Sequence, residues 1–421
     1  MGIITHYSSS FLQPSMLGLS QTLRSYVATI SPSVALPTSQ RTDILLQIDP
    51  HSDLLQQYIM ALGTACIILI AGLLFIVTSR FLSQRSLTHL RNGRKGSVGV
   101  EARLHDIKQR SQEEVPPYQM PPLRSASKPA PQMAMALKKL DQVNWLTLDH
   151  DYLREHDIRS ELLRDICPQV VQQLTAADDA AHEVLSMVVH FLTSRYPSRF
   201  TVTSSPPTIH NHLTSESYPI GPTISNPLEI SARLAMEDFN ILKKDTETGE
   251  YQLIASATLF PTGWKLQERI GSSMAKLHAP VPGWKEKLGR SVNRYFDYLS
   301  PNSCMERTNT FVQTSTVLFA DEPAHMFPQR ASLMPEHVQV RRERQTFTRL
   351  VGTDAILFTV RTFMRPLTEL DLDETRAFAE MVRGWEEGEM GKYKGSEVWG
   401  ETALRWCDEM IARAEGEEER S

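Results

Sequence analysis

The stretch Val338–Phe363, VQVRRERQTFTRLVGTDAILFTVRTF, is the strongest indication of the fold class, because it contains two segments rich in β-branched and aromatic residues around one short turn. We predict strands over Val338–Thr346 and Ala355–Phe363. The step Leu350–Ala355 is a short, hairpin-like return, so the two strands are predicted to pair antiparallel. The pattern therefore predicts an α+β fold, an antiparallel sheet flanked by helices, and not a doubly wound parallel sheet.

The first of these strands carries an unusual density of charge. Two-residue alternation places Arg341, Glu343 and Gln345 on one face, and Arg342 and Arg344 on the other. Charges of this density rarely line a buried strand without partners. The strand is therefore predicted to hold ion pairs or a charged ligand.

The rest of the chain after residue 134 also has the periodicity of a globular domain. Further strands are predicted over Tyr251–Phe260 and Thr310–Phe319. Apolar residues at helical spacing, or helix-favouring runs, predict four helices: Glu161–Gln173, Asp178–Ser194, Glu374–Trp385 and Ser396–Ala414. An acidic tail, Glu415–Arg420, follows the last helix.

A second informative stretch is Leu277–Pro282, LHAPVP, which contains His278. Each proline fixes its own φ and pushes the residue before it out of the helical region, so an extended loop is predicted. Such a loop can aim an imidazole at a fixed point. Two roles remain open for His278 on this basis, a metal ligand or a side chain that hydrogen-bonds its neighbours.

Composition excludes several classes of function. The 421 residues are 41% hydrophobic, which is enough to bury a full core, and the formal net charge of −5 provides no basic field for nucleic acid. The four cysteines lie far apart, without a CxxC zinc pair or a CxxCH site for covalent haem attachment. This cysteine usage favours a reducing compartment.

The segment Tyr58–Ser79 contains no charged residue and has the length needed to cross a bilayer, so a single transmembrane helix is predicted. Five basic residues lie within the sixteen positions after it, whereas acidic residues precede it. The positive-inside rule then places the C-terminal domain in the cytosol and the N-terminus in the lumen or outside the cell.

These features divide the chain into five regions. We predict a poorly structured exoplasmic or lumenal tail, a membrane helix with its flanks, a basic and then Pro-rich linker, one α+β domain, and a helix end with an acidic tail. In order, they are residues 1–53, 54–82, 83–133, 134–400 and 401–421.

Several short motifs together suggest a family. In order, they are Asn144–Asp149 (NWLTLD) with Tyr152, Arg195–Phe200 (RYPSRF), Glu237-Asp238, Trp264, Leu277–Pro282 (LHAPVP), Arg307–Asn309 (RTN), Arg341–Thr346 (RRERQT) and Tyr393–Gly395 (YKG). This set resembles the haem-dependent oxidative N-demethylase alpha-subunit-like family, over about residues 144–394. The resemblance implies a PAS-like fold that binds haem non-covalently and, in characterised relatives, oxidative removal of a methyl group from an amine.

The resemblance also suggests roles for individual residues. His278 would be the axial iron ligand, because imidazole suits iron. Guanidinium groups match carboxylates, so the haem propionates would pair with arginines. The expected cofactor-binding residues are His278, Arg341, Arg344, Arg307 and Trp264; the expected catalytic residues are Glu343, Gln345 and Asn309.

Structural roles compete with each of these. Arg341, Glu343 and Arg307 could form a cross-strand ion-pair network, Trp264 could belong to a core, and the amides could satisfy backbone groups.

The resemblance implies oxidation of an amine or related small molecule by O2. The sequence has no GxGxxG turn and no ferredoxin cysteine run, so a separate reductase is expected as electron donor. One alternative is a PAS-like sensor or carrier of haem or another ligand that catalyses no reaction. Another is a mannosyltransferase-like glycosyltransferase, because Asp371–Asp373 reads DLD, the DxD form that holds a metal and a nucleotide sugar; acidic residues at a helix N-terminus give the same pattern.

Overall fold

A computed structural model describes residues 115–125, 135–322, 333–386 and 388–420. The predicted membrane helix Tyr58–Ser79 and the predicted tail before it lie outside these residues. Among the described residues, no helix combines the length and the apolar character that a membrane span requires.

The strands form two antiparallel sheets. A seven-stranded sheet has the order β1-β8-β9-β10-β6-β7-β2, and a small sheet has the order β3-β4-β5. The strands of the described residues are β1 (Lys138–Lys139), β2 (Val171–Gln173), β3 (Phe200–Ser204), β4 (Pro207–Asn211), β5 (Glu216–Pro219), β6 (Asp238–Lys244), β7 (Tyr251–Ala257), β8 (Cys304–Gln313), β9 (Gln339–Arg349) and β10 (Ile356–Pro366). The α+β class and the antiparallel sheet predicted from the sequence are thereby confirmed.

The β9–β10 hairpin forms the centre of the large sheet. Its ladder runs without a break from Arg349 opposite Ile356 to Gln339 opposite Pro366. The turn closes with a 2.8 Å hydrogen bond from the Leu350 amide to the Ala355 carbonyl. The predicted short antiparallel return is therefore confirmed.

Helices cover both faces of the large sheet. In chain order they are α1 (Tyr152–Asp165), α2 (Cys167–Val170), α3 (Asp178–Arg195), α4 (Pro227–Leu234), α5 (Met274–Leu277), α6 (Gly289–Tyr298), α7 (Leu372–Glu386), α8 (Glu389–Lys394) and α9 (Ser396–Glu418), with a π-helical turn over Trp284–Leu288 just before α6. The predicted helices that begin at Asp178, Glu374 and Ser396 are confirmed. The last helix continues to Glu418, so it includes most of the predicted acidic tail.

Two element predictions are wrong, each for a local reason. The helix predicted over Glu161–Gln173 ends at Asp165, because a new, short helix begins at Cys167 with Pro168 in its first turn, and the chain then joins the sheet edge as β2. The strand predicted over Thr310–Phe319 starts earlier and ends at Gln313. The Gln313 side chain donates to the backbone carbonyls of the following loop, so the chain leaves the sheet there.

The two faces of the large sheet have different covers. We call the face that carries Arg341, Glu343 and Gln345 the Glu343 face, and the opposite one the Arg344 face. On the Arg344 face, Phe239 and Leu357 pack against α3 and α4. On the Glu343 face, a separate core joins the sheet to α6 and the π-helical turn. Another core packs α7 and α9 against the ends of β8 and β9.

Residues 115–125, which we call the strap, lie within the predicted Pro-rich linker and pack against the domain. The Tyr118 ring lies 5.6 Å from the Phe363 ring on the Arg344 face. The Leu123 amide donates a 3.0 Å hydrogen bond to the Glu374 carboxylate, and Leu123 is buried. The described part of the Pro-rich stretch is therefore a component of the folded domain.

Candidate functional site

A polar cluster occupies the middle of the Glu343 face. In the β8–β9 ladder, Asn309 pairs with Glu343 and Arg307 pairs with Gln345. Residues directly opposite each other in an antiparallel ladder project to the same face, and the period of two adds Arg341. The fold therefore brings together five of the predicted site residues from two neighbouring strands.

Arg341 is fully buried in this cluster. Its guanidinium donates to the backbone carbonyls of Phe260 and Leu318, and its Nε lies 3.5 Å from Oε1 of Glu343. Burial lowers the pKa of Arg341, and the Glu343 carboxylate opposes that shift. The side chain is thus used mainly within the protein, where it holds the loop carbonyls and the Glu343 carboxylate together.

The Glu343 carboxylate accepts two further hydrogen bonds. One comes from the Thr262 hydroxyl at 2.7 Å, and the other from the Gln345 amide at 3.0 Å. Both carboxylate oxygens therefore have partners, although the side chain is buried. A buried carboxylate held in this way has a fixed position and orientation.

Lys394, the last residue of α8, brings a second buried cation to the cluster. Its Nζ donates to the Thr310 carbonyl at 2.7 Å and to the Asn309 side chain at 3.2 Å. The ammonium also lies 3.5 Å from the centroid of the Phe311 ring, a cation–π contact. Burial lowers the pKa of Lys394 to about 7, against the opposing effect of Glu343.

Arg307 is a third cation. Unlike Arg341, whose Nε also lacks a hydrogen-bond partner but lies 3.5 Å from the Glu343 carboxylate, Arg307 has no ion-pair partner among the described residues. Its Nε is buried and has no hydrogen-bond partner among the described residues. Burial lowers the pKa of Arg307, and Glu343 raises it. Arg307, Arg341 and Lys394 thus all interact electrostatically with the one Glu343 carboxylate, so the cluster has an excess of positive charge. The Arg307 guanidinium can therefore bind an anionic ligand.

His278 directly follows α5 and lies in a turn with φ −107° and ψ 9°, so the extended loop predicted for Leu277–Pro282 is wrong. Its imidazole lies next to this excess of charge. Its Nδ1 is 3.0 Å from the Met274 carbonyl, and its ring stacks on Trp284 at 3.7 Å and 9°. A carbonyl only accepts, so Nδ1 carries the proton and the lone pair is on Nε2. Burial lowers the pKa of His278 to about 4, and the nearby Arg307 contributes in the same direction.

Arg344 is the predicted site residue that the fold separates from the others. It lies on the opposite face, where its guanidinium contacts the Glu306 carboxylate at 2.8 Å and the backbone carbonyls of Asn144 and Trp145. Arg341 and Arg344 therefore do not face one common ligand. The remaining predicted residue, Trp264, is half-buried and packs in the same core as Trp284.

Sequence reasoning gave no role to two members of the cluster. Lys394 belongs to the YKG motif, in which Gly395 adopts φ 74° and ends α8 in the left-handed conformation. The glycine in this motif therefore indicates where the helix ends. Thr262 had no signal, because its contact with Glu343 joins residues 81 positions apart.

The DLD run is a helix cap. The Asp371 carboxylate accepts a 2.8 Å hydrogen bond from the Glu374 amide at the start of α7. The side chain of Asp373 is 94% exposed. Within the described residues, no group of three or more His, Cys, Asp or Glu side chains is arranged to hold a metal ion. The observed geometry therefore matches acidic residues at a helix N-terminus.

A comparison of the chain with protein-family models finds a match to a known family. The model described as haem-dependent oxidative N-demethylase, alpha subunit-like, matches residues 136–404, which is more than half of the chain. The chain belongs to this family. The resemblance noted in the short motifs is thus confirmed, and haem-dependent oxidative demethylation is the function at family level. All the residues of the polar cluster lie within the matched range.

The side chains of this family member suit haem in their chemistry. A porphyrin supplies four iron ligands itself, so the protein needs to provide only an axial one, and no metal-binding group of three residues is required. His278 offers a neutral imidazole with Nε2 available, and its Nδ1 is held by a carbonyl, as is usual for metal-bound histidines. The unpartnered Arg307 donor offers a partner for a propionate.

Proposed function

We propose that the domain binds haem next to the polar cluster, where His278 would hold the iron, and oxidises an N-methylated amine with O2. The observation that carries the proposal is the state of His278: in a member of a haem-dependent family, this imidazole is neutral, oriented through Nδ1 and available at Nε2. The PAS-like description of the fold and the non-covalent mode of binding belong to the same proposal.

His278 would hold the iron through Nε2. Since the pKa of His278 is lowered to about 4, protons do not compete with the metal near neutral pH. The stacked Trp284 ring restricts rotation of the imidazole, and the Met274 carbonyl makes Nε2 a better donor. Both contacts therefore orient the ligand.

Arg307 would pair with a haem propionate, because its buried Nε has no hydrogen-bond partner among the described residues. Arg341 acts one step away, since it fixes Glu343 and the loop around Phe260. Glu343, Gln345 and Asn309 form the polar wall against which the amine is oriented. The Thr262 hydroxyl donates a 2.7 Å hydrogen bond to the Glu343 carboxylate and so fixes its orientation in that wall.

Haem, when bound, supplies O2 activation and the oxidising power of the reaction. The protein's residues hold it, orient the amine and limit access of water. Electrons come from a separate reductase, because the sequence contains no nucleotide-binding or iron–sulfur motif. We further propose that Tyr58–Ser79 anchors the chain as a single-pass membrane protein with the catalytic domain in the cytosol, on the strength of its uncharged run and the basic residues that follow.

The test is an absorption spectrum of the full-length chain, purified in detergent and reconstituted with haem. The wild-type chain and a His150→Ala control, whose imidazole is 84% exposed, should both show a strong Soret band. His278→Ala should lose or shift the band, and added imidazole should restore it. An unchanged Soret band in His278→Ala would show that the axial ligand lies elsewhere.

A second measurement separates an enzyme from a haem sensor or carrier. Formaldehyde release is followed with a reductase and a set of N-methylamines. Release that depends on O2 and is lost in His278→Ala supports the enzyme. A haem-loaded chain that is reduced and turns over none of the amines would support the sensor or carrier.

A further inference from the structure

The segment that carries His278 also carries a dense group of positive charge, which we call the basic patch. It consists of five exposed side chains: Lys276, Lys285, Lys287, Arg290 and Arg294. Among the described residues, none of these side chains has an ion-pair or hydrogen-bond partner. One acidic residue, Glu286, lies between them. The patch is positive, whereas the chain as a whole has a net charge of −5.

The basic patch lies on the same segment of the chain as His278. Lys285 and Lys287 belong to the same π-helical turn as Trp284, which is 8% exposed and whose ring stacks on that of His278 at 3.7 Å. The Trp284 ring therefore connects this turn to the imidazole. A protein bound to Lys285 and Lys287 would lie on the turn that carries Trp284.

We propose that the basic patch is the docking surface for an acidic electron-transfer protein. The inference rests on the proposed function, which requires electrons from another polypeptide. Redox partners typically form small, transient interfaces, and complementary charge steers their association. Five unpaired cations on the segment that contains Trp284 provide that charge, and the entry point for electrons is the Trp284–His278 stack.

An anionic membrane surface is the other partner that attracts basic residues. Membrane-binding helices add exposed apolar side chains that enter the lipid. The apolar side chains of α6, Val292 and Phe296, are instead buried in the domain. The large exposed side chain near the patch is Tyr298, at the far end of α6. The patch therefore fits a protein partner better than a bilayer.

The experiment compares two charge-reversal variants of the full-length, haem-loaded chain. The patch variant is Lys285→Glu/Lys287→Glu/Arg290→Glu. The control variant, Lys139→Glu/Lys243→Glu/Arg413→Glu, makes the same change of charge at exposed residues elsewhere. The probe is a flavodoxin, a small acidic FMN protein. Calorimetry with the oxidised probe measures the dissociation constant, and stopped-flow absorbance measures haem reduction by the reduced probe.

At low salt, the patch variant should bind the probe with a dissociation constant at least about tenfold higher than that of the control variant, and its haem should be reduced at least about tenfold more slowly. Both differences should vanish at high salt. Equal values in the two variants, or a wild-type chain that neither binds the probe nor is reduced by it, would overturn the inference and leave the Soret evidence for haem intact. A missing Soret band in the wild-type chain would instead overturn the proposed function.

A last arm uses vesicles of phosphatidylcholine and phosphatidylserine. If the patch variant loses vesicle binding and yet matches the control variant in reduction by flavodoxin, the patch serves a membrane and the proposed docking site is refuted.

Discussion

The substitution Glu343→Gln tests the charge balance on which the candidate site depends. In the haem-free chain, the Glu343 carboxylate faces three cations, namely Arg341, Arg307 and Lys394. The amide of Gln keeps the size of the side chain and part of its hydrogen bonding but removes the charge. Buried guanidinium and ammonium groups are then left without compensation, so the variant should be strongly destabilised.

The distance between the charges sets the size of the effect. With 3.5 Å between Arg341 Nε and Glu343 Oε1, an effective dielectric constant of about 20 gives an attraction of about 5 kcal/mol. Removal of one partner from a buried pair typically costs about 3–5 kcal/mol. We therefore expect Glu343→Gln to lower the free energy of unfolding by about 3–5 kcal/mol.

The measurement is urea unfolding followed by tryptophan fluorescence, near pH 7 and without haem. Glu286→Gln is the matched control, because Glu286 is exposed, and it should change the unfolding free energy by less than about 0.5 kcal/mol. The double variant Glu343→Gln/Lys394→Met removes a carboxylate and a cation together, so it should recover part of the loss. A cost below about 1 kcal/mol for Glu343→Gln, or no recovery in the double variant, would refute the reasoning.

Three further predictions concern stability. Arg361→Met leaves two buried carboxylates without their shared guanidinium, so it should cost about 3–5 kcal/mol in urea unfolding. Tyr118→Ala removes the strap's ring from Phe363 and should cost about 1–2 kcal/mol, whereas Tyr118→Phe should behave as wild type. Burial lowers the pKa of His278 to about 4, so the folded chain disfavours the imidazolium. The free energy of unfolding should therefore fall by up to about 3 kcal/mol as the pH drops from 6.5 to 4. The free energy of unfolding of His278→Gln should fall by less over the same range.

The part of the site that could be predicted from sequence depends on local rules. Alternation along one strand placed Arg341, Glu343 and Gln345 together, and a short return predicted the antiparallel hairpin. Neither conclusion required knowledge of another part of the chain. For the same reason, the helix starting at Asp178 could be predicted from its apolar spacing alone.

The remaining features depend on contacts between distant residues. The Arg344 guanidinium donates to the backbone carbonyls of Asn144 and Trp145, which lie about 200 positions away in the sequence. No sequence pattern predicts that contact. The partners of Lys394 likewise come from β8, some 85 positions before it. Motif spacing could indicate which residues matter, whereas the face on which each one acts depends on sheet register.

The strap has a consequence for how the protein can be handled. The family match begins at residue 136, yet the folded unit already includes Tyr118 and Leu123. A fragment that begins at residue 134 would lose the contact between the Tyr118 and Phe363 rings. It would also lose the hydrogen bond from the Leu123 amide to the Glu374 carboxylate. Recombinant fragments should therefore begin upstream of residue 115. Shorter fragments would expose apolar surface on the sheet and would tend to aggregate.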